Sequence, residues 1–129
     1  MNIDREDFRM SALSTEYFYN RQNVTVELVA CLTAPLVFDD LIGPVIKRVK
    51  QTAKCHPDDP YSLEKGKKIA LAKAESKAYS LLAKELEKKY NYLLDFIETM
   101  KPLKDDFLEK TEKCVKHNEG YIADISRVD

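Results

Sequence analysis

The chain has 129 residues, of which 44% are hydrophobic and 33% charged, a composition typical of one globular domain. Three glycines are too few for the tight turns of an all-β barrel, and three cysteines without paired spacing argue against a disulfide framework. The longest apolar runs, 28–32 and 35–38, are far shorter than the ~20 residues of a membrane-spanning helix. Because the N-terminus also lacks the pattern of a secretory leader, we expect a single cytoplasmic domain over residues 1–129.

Opposite charges are segregated along the chain, although the net charge is only -1. Residues 1–43 carry 3 basic and 7 acidic side chains, residues 44–89 carry 12 and 6, and residues 90–129 carry 6 and 9. A basic middle between acidic ends can bind phosphate groups or an acidic partner. It can equally hold segments or subunits of one fold together, which is the simpler interpretation.

Residues 1–22 predict an irregular arm, because their apolar side chains keep neither a helical nor a strand period. One helical turn is expected from Ser11 to Tyr17. The adjacent aromatic residues at 17–19 are expected to dock on a sheet rather than to cover a partner chain, since three neighbouring aromatic side chains seldom stay in water.

Residues 23–54 predict a β-hairpin. The first strand, 23–33, alternates between an apolar and a mixed face, and its second strand, 45–54, alternates less regularly. The insertion 36–42 and the turn at Gly43 and Pro44 separate them. Two strands are only marginally stable in water, so a helix or another chain must cover the apolar face.

A junction rich in Pro and Asp leads from the hairpin to a helix. Asp59 and Ser62 are alternative N-caps, and Ser62, with the helix beginning at Leu63, fits better. Gly66 in the first turns costs about 1 kcal/mol relative to Ala, which predicts a close approach of another backbone.

The stretch 63–100 predicts one long helix with an apolar stripe that repeats about every 3.6 residues, the period of a straight helix rather than of a coiled coil. The stripe contains Leu71, Ala74, Ala78, Leu82, Leu86, Tyr90, Leu93, Ile97 and Met100. At 1.5 Å per residue this helix is about 57 Å long, more than a compact domain of this size spans. Part of the helix must therefore project, bend or be covered by a second copy, and its bulky C-terminal end is expected to pack on the helices after Pro102 or on another subunit. We expect a homo-oligomer, with an interface formed by Tyr90, Leu93, Phe96, Ile97 and Met100.

Pro102 is expected to end the long helix, because proline lacks the N–H that the helix interior needs. Apolar residues three or four apart then predict a second helix from Leu103 to about His117, with a stop at 118–120 and a last turn or strand within 121–128. The predicted fold class is α+β, a β-hairpin packed on a long helix and followed by a C-terminal helical hairpin in 103–129.

Candidate metal ligands are Cys55, His56 and the acidic pair 58–59, with Cys114 and His117 on one helical face further on. Zinc ligands are normally spaced so that the chain can wrap the ion, which adjacent Cys and His do not allow. Adjacent side chains in an extended segment also point apart, so Cys55 and His56 make a poor nucleophile and base. We expect no cofactor, no metal and no catalytic residue, and a metal-dependent hydrolase is the remote alternative.

A phosphate-binding surface is the nearer alternative, because helix N-termini favour anions and the middle segment is basic. Its residues are Lys47, Arg48, Lys50, Lys54, Lys65, Lys67 and Lys68. There is no glycine-rich phosphate loop, and no aromatic residue interleaves this basic cluster as base stacking requires. Nucleic-acid or nucleotide binding is therefore the second functional hypothesis.

The stretch from Ala53 to Ala70 resembles a strand–turn–helix module of small, mostly uncharacterised proteins of bacteriophages and prophages. The shared features are the Cys-His-Pro-Asp-Asp turn, the aromatic Tyr61, Gly66 and an Ala- and Lys-rich helix. Residues 1–44 and 90–129 lie outside the resemblance. It implies a mobile-element origin and the strand–turn–helix geometry, but no activity by itself. Small phage proteins of this kind often act by binding a host or defence component, and on this ground we expect a phage-type accessory protein in the host cytoplasm that binds, and inhibits, such a component. The leading hypothesis is accordingly a non-enzymatic protein-binding module that forms a homo-oligomer and does not enter a membrane.

Overall fold

The computed structural model describes residues 8–20, 22–55 and 62–127, and these form three strands and two helices. The elements are β1 (Arg9–Asn20), β2 (Asn23–Thr33), α1 (Leu36–Ile42), β3 (Ile46–Lys54) and α2 (Ser62–Arg127). Two compact units result, Met1–Lys89 and Tyr90–Asp129, and α2 contributes to both. The predicted α+β class is confirmed as a three-stranded antiparallel sheet with a long helix.

The sheet has the order β1-β2-β3, with both pairs antiparallel. In the register, Val24 lies opposite Ala53, and Leu28 lies opposite Val49. The predicted pairing of 23–33 with 45–54 is therefore confirmed. The apolar face of β2 is buried, because Val24 and Leu28 are 0% and 1% exposed.

β1 corrects the prediction of an irregular arm with one helical turn. Arg9–Asn20 pair along the whole of β2, but the register shifts between Ala12 and Ser14. A bulge of this kind moves later side chains to the other face, so the sequence shows no continuous alternation. β1 is also an edge strand with mostly exposed side chains. Because few of these side chains are buried, the strand does not need an apolar face, and its sequence does not show one. The rest of the predicted arm, 1–7 and Arg21, lies outside the described residues.

The short helix α1 replaces the predicted insertion between the strands. Its first turn is closed by the carbonyl oxygen of Pro35, which accepts hydrogen bonds from the N–H groups of Phe38 and Asp39 at 2.9 and 3.0 Å. It ends at Gly43, whose φ of 75° is readily reached without a side chain. The ring of Phe38 meets that of Phe8 edge to face, at 5.2 Å between centroids.

The first half of α2 packs on the sheet through a row of mostly small residues spaced four apart. The buried members are Ser62, Gly66, Ala70, Ala74, Ala78 and Leu82. The prediction started this row at Leu71 with a step of 3.6. Residues four apart are slightly more than one turn apart, so their row rotates slowly around the helix axis and follows the twist of the sheet. Ala70 therefore belongs to the buried row, and Leu71 lies half-buried beside it.

The close approach predicted at Gly66 is confirmed, but its neighbours are side chains rather than backbone. The nearest atoms belong to Cys55 and Val24. Ser62 is the first residue of α2, within one residue of the predicted start. The junction 56–61, including His56, lies outside the described residues.

The predicted break at Pro102 is wrong, because α2 continues through it to Arg127. The described residues therefore hold no C-terminal helical hairpin, and the stop predicted at 118–120 is also absent from them. A proline inside a helix costs about 3 kcal/mol, yet this penalty is local, and strong helix formers flank it on both sides. No helix in the described part of the chain is long and apolar enough to cross a membrane.

Candidate protein-binding surface

The predicted anion-binding residues on β3 are divided between the two faces of the sheet. Lys47 lies on the helix-covered face, where its Nζ is 3.5 Å from Glu85 Oε2 of α2. Arg48 lies on the open face, where its Nη1 donates a 2.8 Å hydrogen bond to Glu27 Oε1 of β2. Both ion pairs neutralise part of the basic charge that the sequence counted as one cluster.

Lys67 is engaged with β1 rather than directed at an open site. Its Nζ lies 4.9 Å from the centroid of the Tyr17 ring, an ordinary cation–π geometry. A hydrogen bond with the Tyr19 side chain is the main cause that raises the pKa of Lys67, and the charges of Tyr19 and Glu64 raise the pKa further. Lys65 and Lys68 are exposed on neighbouring turns of α2.

The open face of the sheet brings three of the predicted basic residues together on β3, namely Arg48, Lys50 and Lys54. Phe18 of β1 lies on the same face, because it pairs with Thr25, which in turn pairs with Thr52. The expectation that no aromatic residue joins the basic cluster is therefore wrong for this face. Strand pairing, which the sequence did not show for β1, is what brings Phe18 there.

The candidate metal and catalytic residues are not gathered into one site in the part of the chain that the structure describes. No group of three or more His, Cys, Asp or Glu there is arranged to hold a metal ion. Cys114 Sγ accepts a hydrogen bond from Asn118 at 3.7 Å, and Asp106 forms an ion pair with Lys110 at 3.2 Å. His56 and the pair 58–59 lie outside the described residues.

A small hollow opens between the start of β1 and the middle of α2. Its volume is about 200 Å³, and Phe8, Met10, Leu32, Leu82 and Leu86 contribute apolar walls. This space is below the usual size of pockets for drug-sized ligands, and no acid–base pair lines it. It therefore does not explain a binding activity.

The second unit has an exposed apolar face, here called the C-terminal apolar face, which is dense over residues 90–108 and 121–125 and continues between them only at Val115. It comprises Tyr90, Leu93, Leu94, Phe96, Ile97, Met100, Leu103, Phe107, Leu108, Val115, Tyr121, Ile122 and Ile125. All of these except Leu93, which is half-buried, have exposed fractions between 41% and 68%. At about 100° per residue they occupy roughly half of the helix circumference.

The opposite side of this segment is highly charged and internally paired. Three acidic side chains bind a lysine one turn later, and the pairs are Asp106–Lys110, Glu109–Lys113 and Glu112–Lys116, at 3.1–3.2 Å. The acidic member comes first in each pair, which is the favourable order along a helix. The segment is thus amphipathic, although Lys101 and Lys104 lie among the apolar residues of the other side.

The size of the C-terminal apolar face is the main functional signal. The face has thirteen large side chains, most of them about half exposed. Because one aromatic side chain can bury 150–250 Å², the thirteen together present on the order of 1,000 Å² of apolar surface. The largest apolar patch of a typical monomer is about 300–600 Å². The C-terminal apolar face therefore exceeds the apolar patch of a typical monomer. Helices in proteins also gain most of their stability by packing such a face.

All five predicted interface residues, 90, 93, 96, 97 and 100, belong to this face. The sequence prediction did not include the residues beyond Met100, because it ends the helix at Pro102; Leu103 and Phe107 continue the spacing of three and four, whereas beyond Leu108 the spacing is wider. No protein-family model, curated protein or solved structure matches the chain. The functional argument therefore depends on the geometry described above.

Proposed function

We propose that the protein is a non-enzymatic protein-binding module that self-associates through the C-terminal apolar face. The observation that supports this proposal is the exposed apolar surface of residues 90–125 on one side of a single helix. Its estimated area exceeds the ~800 Å² that each partner contributes to a standard stable interface.

A second copy of the chain suits this face in length and in charge. It offers an apolar stripe of the same length, so no part of the face needs to stay in water. Residues 90–109 carry two basic and five acidic side chains, whereas residues 110–127 carry four basic and three acidic ones. The two halves of the segment therefore attract each other between copies.

Light scattering after size-exclusion chromatography tests self-association directly. The full-length chain is expected to elute as an oligomer, and the double variant Ile97→Asp with Leu108→Asp as a monomer, because a buried unpaired carboxylate is strongly unfavourable. Asn91→Asp with Ala123→Asp is the matched control, since it adds the same two charges at exposed positions outside the face. A wild-type chain that stays monomeric at high concentration contradicts the proposal.

The resemblance to phage proteins adds a second step to this proposal, the binding and inhibition of a host or defence protein. It remains a prediction that depends on the resemblance alone. An affinity purification from bacterial lysate, with wild type and the double Asp variant as parallel baits, tests it. A partner that is captured equally by both baits uses a surface other than the C-terminal apolar face.

Nucleic-acid binding is the second candidate, and the open sheet face is the observation that favours it. Phe18 is 46% exposed there and provides a ring on which a base can stack, with Lys50 and Lys54 exposed on β3 for phosphate contacts. The variants Phe18→Ala and Lys50→Glu with Lys54→Glu should each weaken a salt-sensitive shift of labelled single-stranded DNA or RNA. Lys113→Glu on α2 is the control, and no shift of wild type at low salt excludes this function.

A further inference from the structure

The C-terminal apolar face contains a seven-residue repeat that identifies how a second copy lies on it. One row of the repeat, called row a, consists of Tyr90, Ile97, Lys104, Thr111, Asn118 and Ile125. The neighbouring row, called row d, consists of Leu93, Met100, Phe107, Cys114 and Tyr121. Two rows with this spacing form the seam between paired helices in coiled coils.

The side chains that flank the seam differ between its two sides. The flank after row d, called row e, is mostly apolar and consists of Leu94, Lys101, Leu108, Val115 and Ile122. The flank before row a, called row g, becomes polar along the helix and consists of Phe96, Leu103, Lys110, His117 and Asp124. Parallel helices place row e of one copy beside row g of the other, whereas antiparallel helices place row e beside row e.

We propose that two copies pair antiparallel through this face, with the two-fold axis at the height of Glu109 along the helix. This inference rests on the proposed self-association. In this alignment Ile97 packs beside Tyr121 of the second copy, and Phe107 packs beside Thr111 of the second copy. Phe107 thus meets a smaller side chain, while Ile97 and Tyr121 form an apolar layer nearer the ends of the seam.

The apolar row e decides between the two directions. In the antiparallel pair Leu94 lies beside Ile122 of the second copy, and the two copies of Leu108 meet near the axis. A parallel pair would instead place Val115 beside Lys110 and Ile122 beside His117. Val115 meets Lys101 in the antiparallel pair, so three of the five row e residues meet apolar side chains there. In the parallel pair only Leu108, beside Leu103, does so, and the antiparallel direction therefore buries more apolar surface of row e.

Charged residues favour the same direction. A parallel pair in register would bring the two copies of Lys104 together in the seam, whereas the antiparallel pair places Lys104 beside Cys114. It also sets the acidic first half of the segment against the basic second half. The two copies of Lys110 do approach each other near the axis, but each lies 3.2 Å from its own Asp106.

Distances between spin labels measure the direction in the full-length chain. Labels are attached at Ala123→Cys or at Glu109→Cys, in a background with Cys31→Ser, Cys55→Ser and Cys114→Ser. Two antiparallel copies separate their residues 123 by 28 residues along the axis, about 42 Å at 1.5 Å per residue. Residue 109 lies at the height of the axis, so its two labels are expected within about 25 Å of each other, given helices about 10 Å in diameter.

A long distance at 123 with a short distance at 109 supports the antiparallel pair. Short distances at both positions in a confirmed dimer overturn the antiparallel direction and leave self-association intact. A monomer without dipolar coupling overturns both. Mild oxidation of the chain that retains only Cys114 gives a second measurement, because a rapid Cys114–Cys114 disulfide between copies requires the parallel direction and contradicts the proposal.

Discussion

Gly66 of α2 lies against Cys55, the residue that follows β3. A Cβ atom at Gly66 would lie 2.5 Å from Cys55 Sγ and 3.3 Å from Val24 Cγ2. The Cys55 N–H also donates a hydrogen bond to the carbonyl oxygen of Gln22, at the turn between β1 and β2. The end of the sheet and the start of the helix are therefore fixed at one point, where only a residue without a side chain fits.

The variant Gly66→Ala is expected to lower the free energy of unfolding by about 1 kcal/mol. Alanine is a better helix former than glycine by about 1 kcal/mol, but overpacking a tight contact typically costs 1–3 kcal/mol, and the second effect is the larger one. Urea denaturation followed by circular dichroism measures the difference.

Two further variants separate the clash from helix propensity. Cys55→Ala removes the sulfur atom, so adding Gly66→Ala in that background should be neutral or stabilising. Gly120→Ala is the matched control, because no atom lies within 4 Å of its added Cβ and the substitution should stabilise the helix. Equal destabilisation by Gly66→Ala with and without Cys55 would contradict the steric explanation.

The contact between Tyr19 and Lys67 predicts a measurable titration. Its hydrogen bond raises the pKa of Lys67 above the ordinary value of 10.5, and the charges of Tyr19 and Glu64 add to this effect. Since the folded pKa is raised, the contact stabilises the fold fully below the unfolded pKa and is lost as pH rises through the folded pKa.

Tyr19→Phe should therefore lower the pKa of Lys67 toward 10.5, as measured by NMR titration of the lysine side chain. Tyr17→Leu is the comparison variant, because the charge of Tyr17 is the weakest of the causes that raise this pKa, and its effect should be smaller. A larger shift with Tyr17→Leu than with Tyr19→Phe would show that the ring, rather than the hydrogen bond, controls Lys67.

A core substitution tests the packing of β2. Leu28 is 1% exposed, and Leu28→Ala should lower the free energy of unfolding by about 2–5 kcal/mol through lost burial and a residual cavity. Leu13 is 56% exposed, so Leu13→Ala should change stability by less than about 0.5 kcal/mol. The two denaturation curves together check that α2 covers the β2 face, since an uncovered Leu28 would behave like Leu13.

Elements with a buried face could be predicted from the sequence, and elements with mostly exposed side chains could not. β2 is central and buried on one face, so Val24, Val26 and Leu28 display the alternation that the sequence prediction used. β1 is an edge strand with a bulge near Leu13, and neither its faces nor its pairing is encoded in a regular apolar pattern. Phe18 therefore could not be assigned to the open face before the register was known.

The sequence predicted an apolar stripe on the helix, but not that this stripe extends beyond Met100. Tyr90 and Ile97 fell on the predicted stripe, and the same spacing continues to Ile125. The sequence prediction ended the helix at Pro102 because proline disfavours the helix interior. The free-energy cost of one proline is local, however, and a helix of 66 residues can continue through it. Charge counts misled in a similar way, because Lys47 and Arg48 are adjacent in sequence but lie on opposite faces of β3.

Pro102 itself provides the most direct check on the continuous helix. It is exposed inside α2, and Pro102→Ala restores an N–H that can donate to the carbonyl oxygen of Glu98 without removing a buried contact. Because proline is about 3 kcal/mol less favourable than alanine in a helix interior, the variant should raise the unfolding temperature of α2 and of the self-associated form. Glu119→Ala, at an exposed position outside the seam, is the control for a surface substitution with almost unchanged helix propensity. Thermal unfolding monitored at 222 nm compares the two, and an unchanged or lower midpoint for Pro102→Ala would mean that the helix does end at this residue.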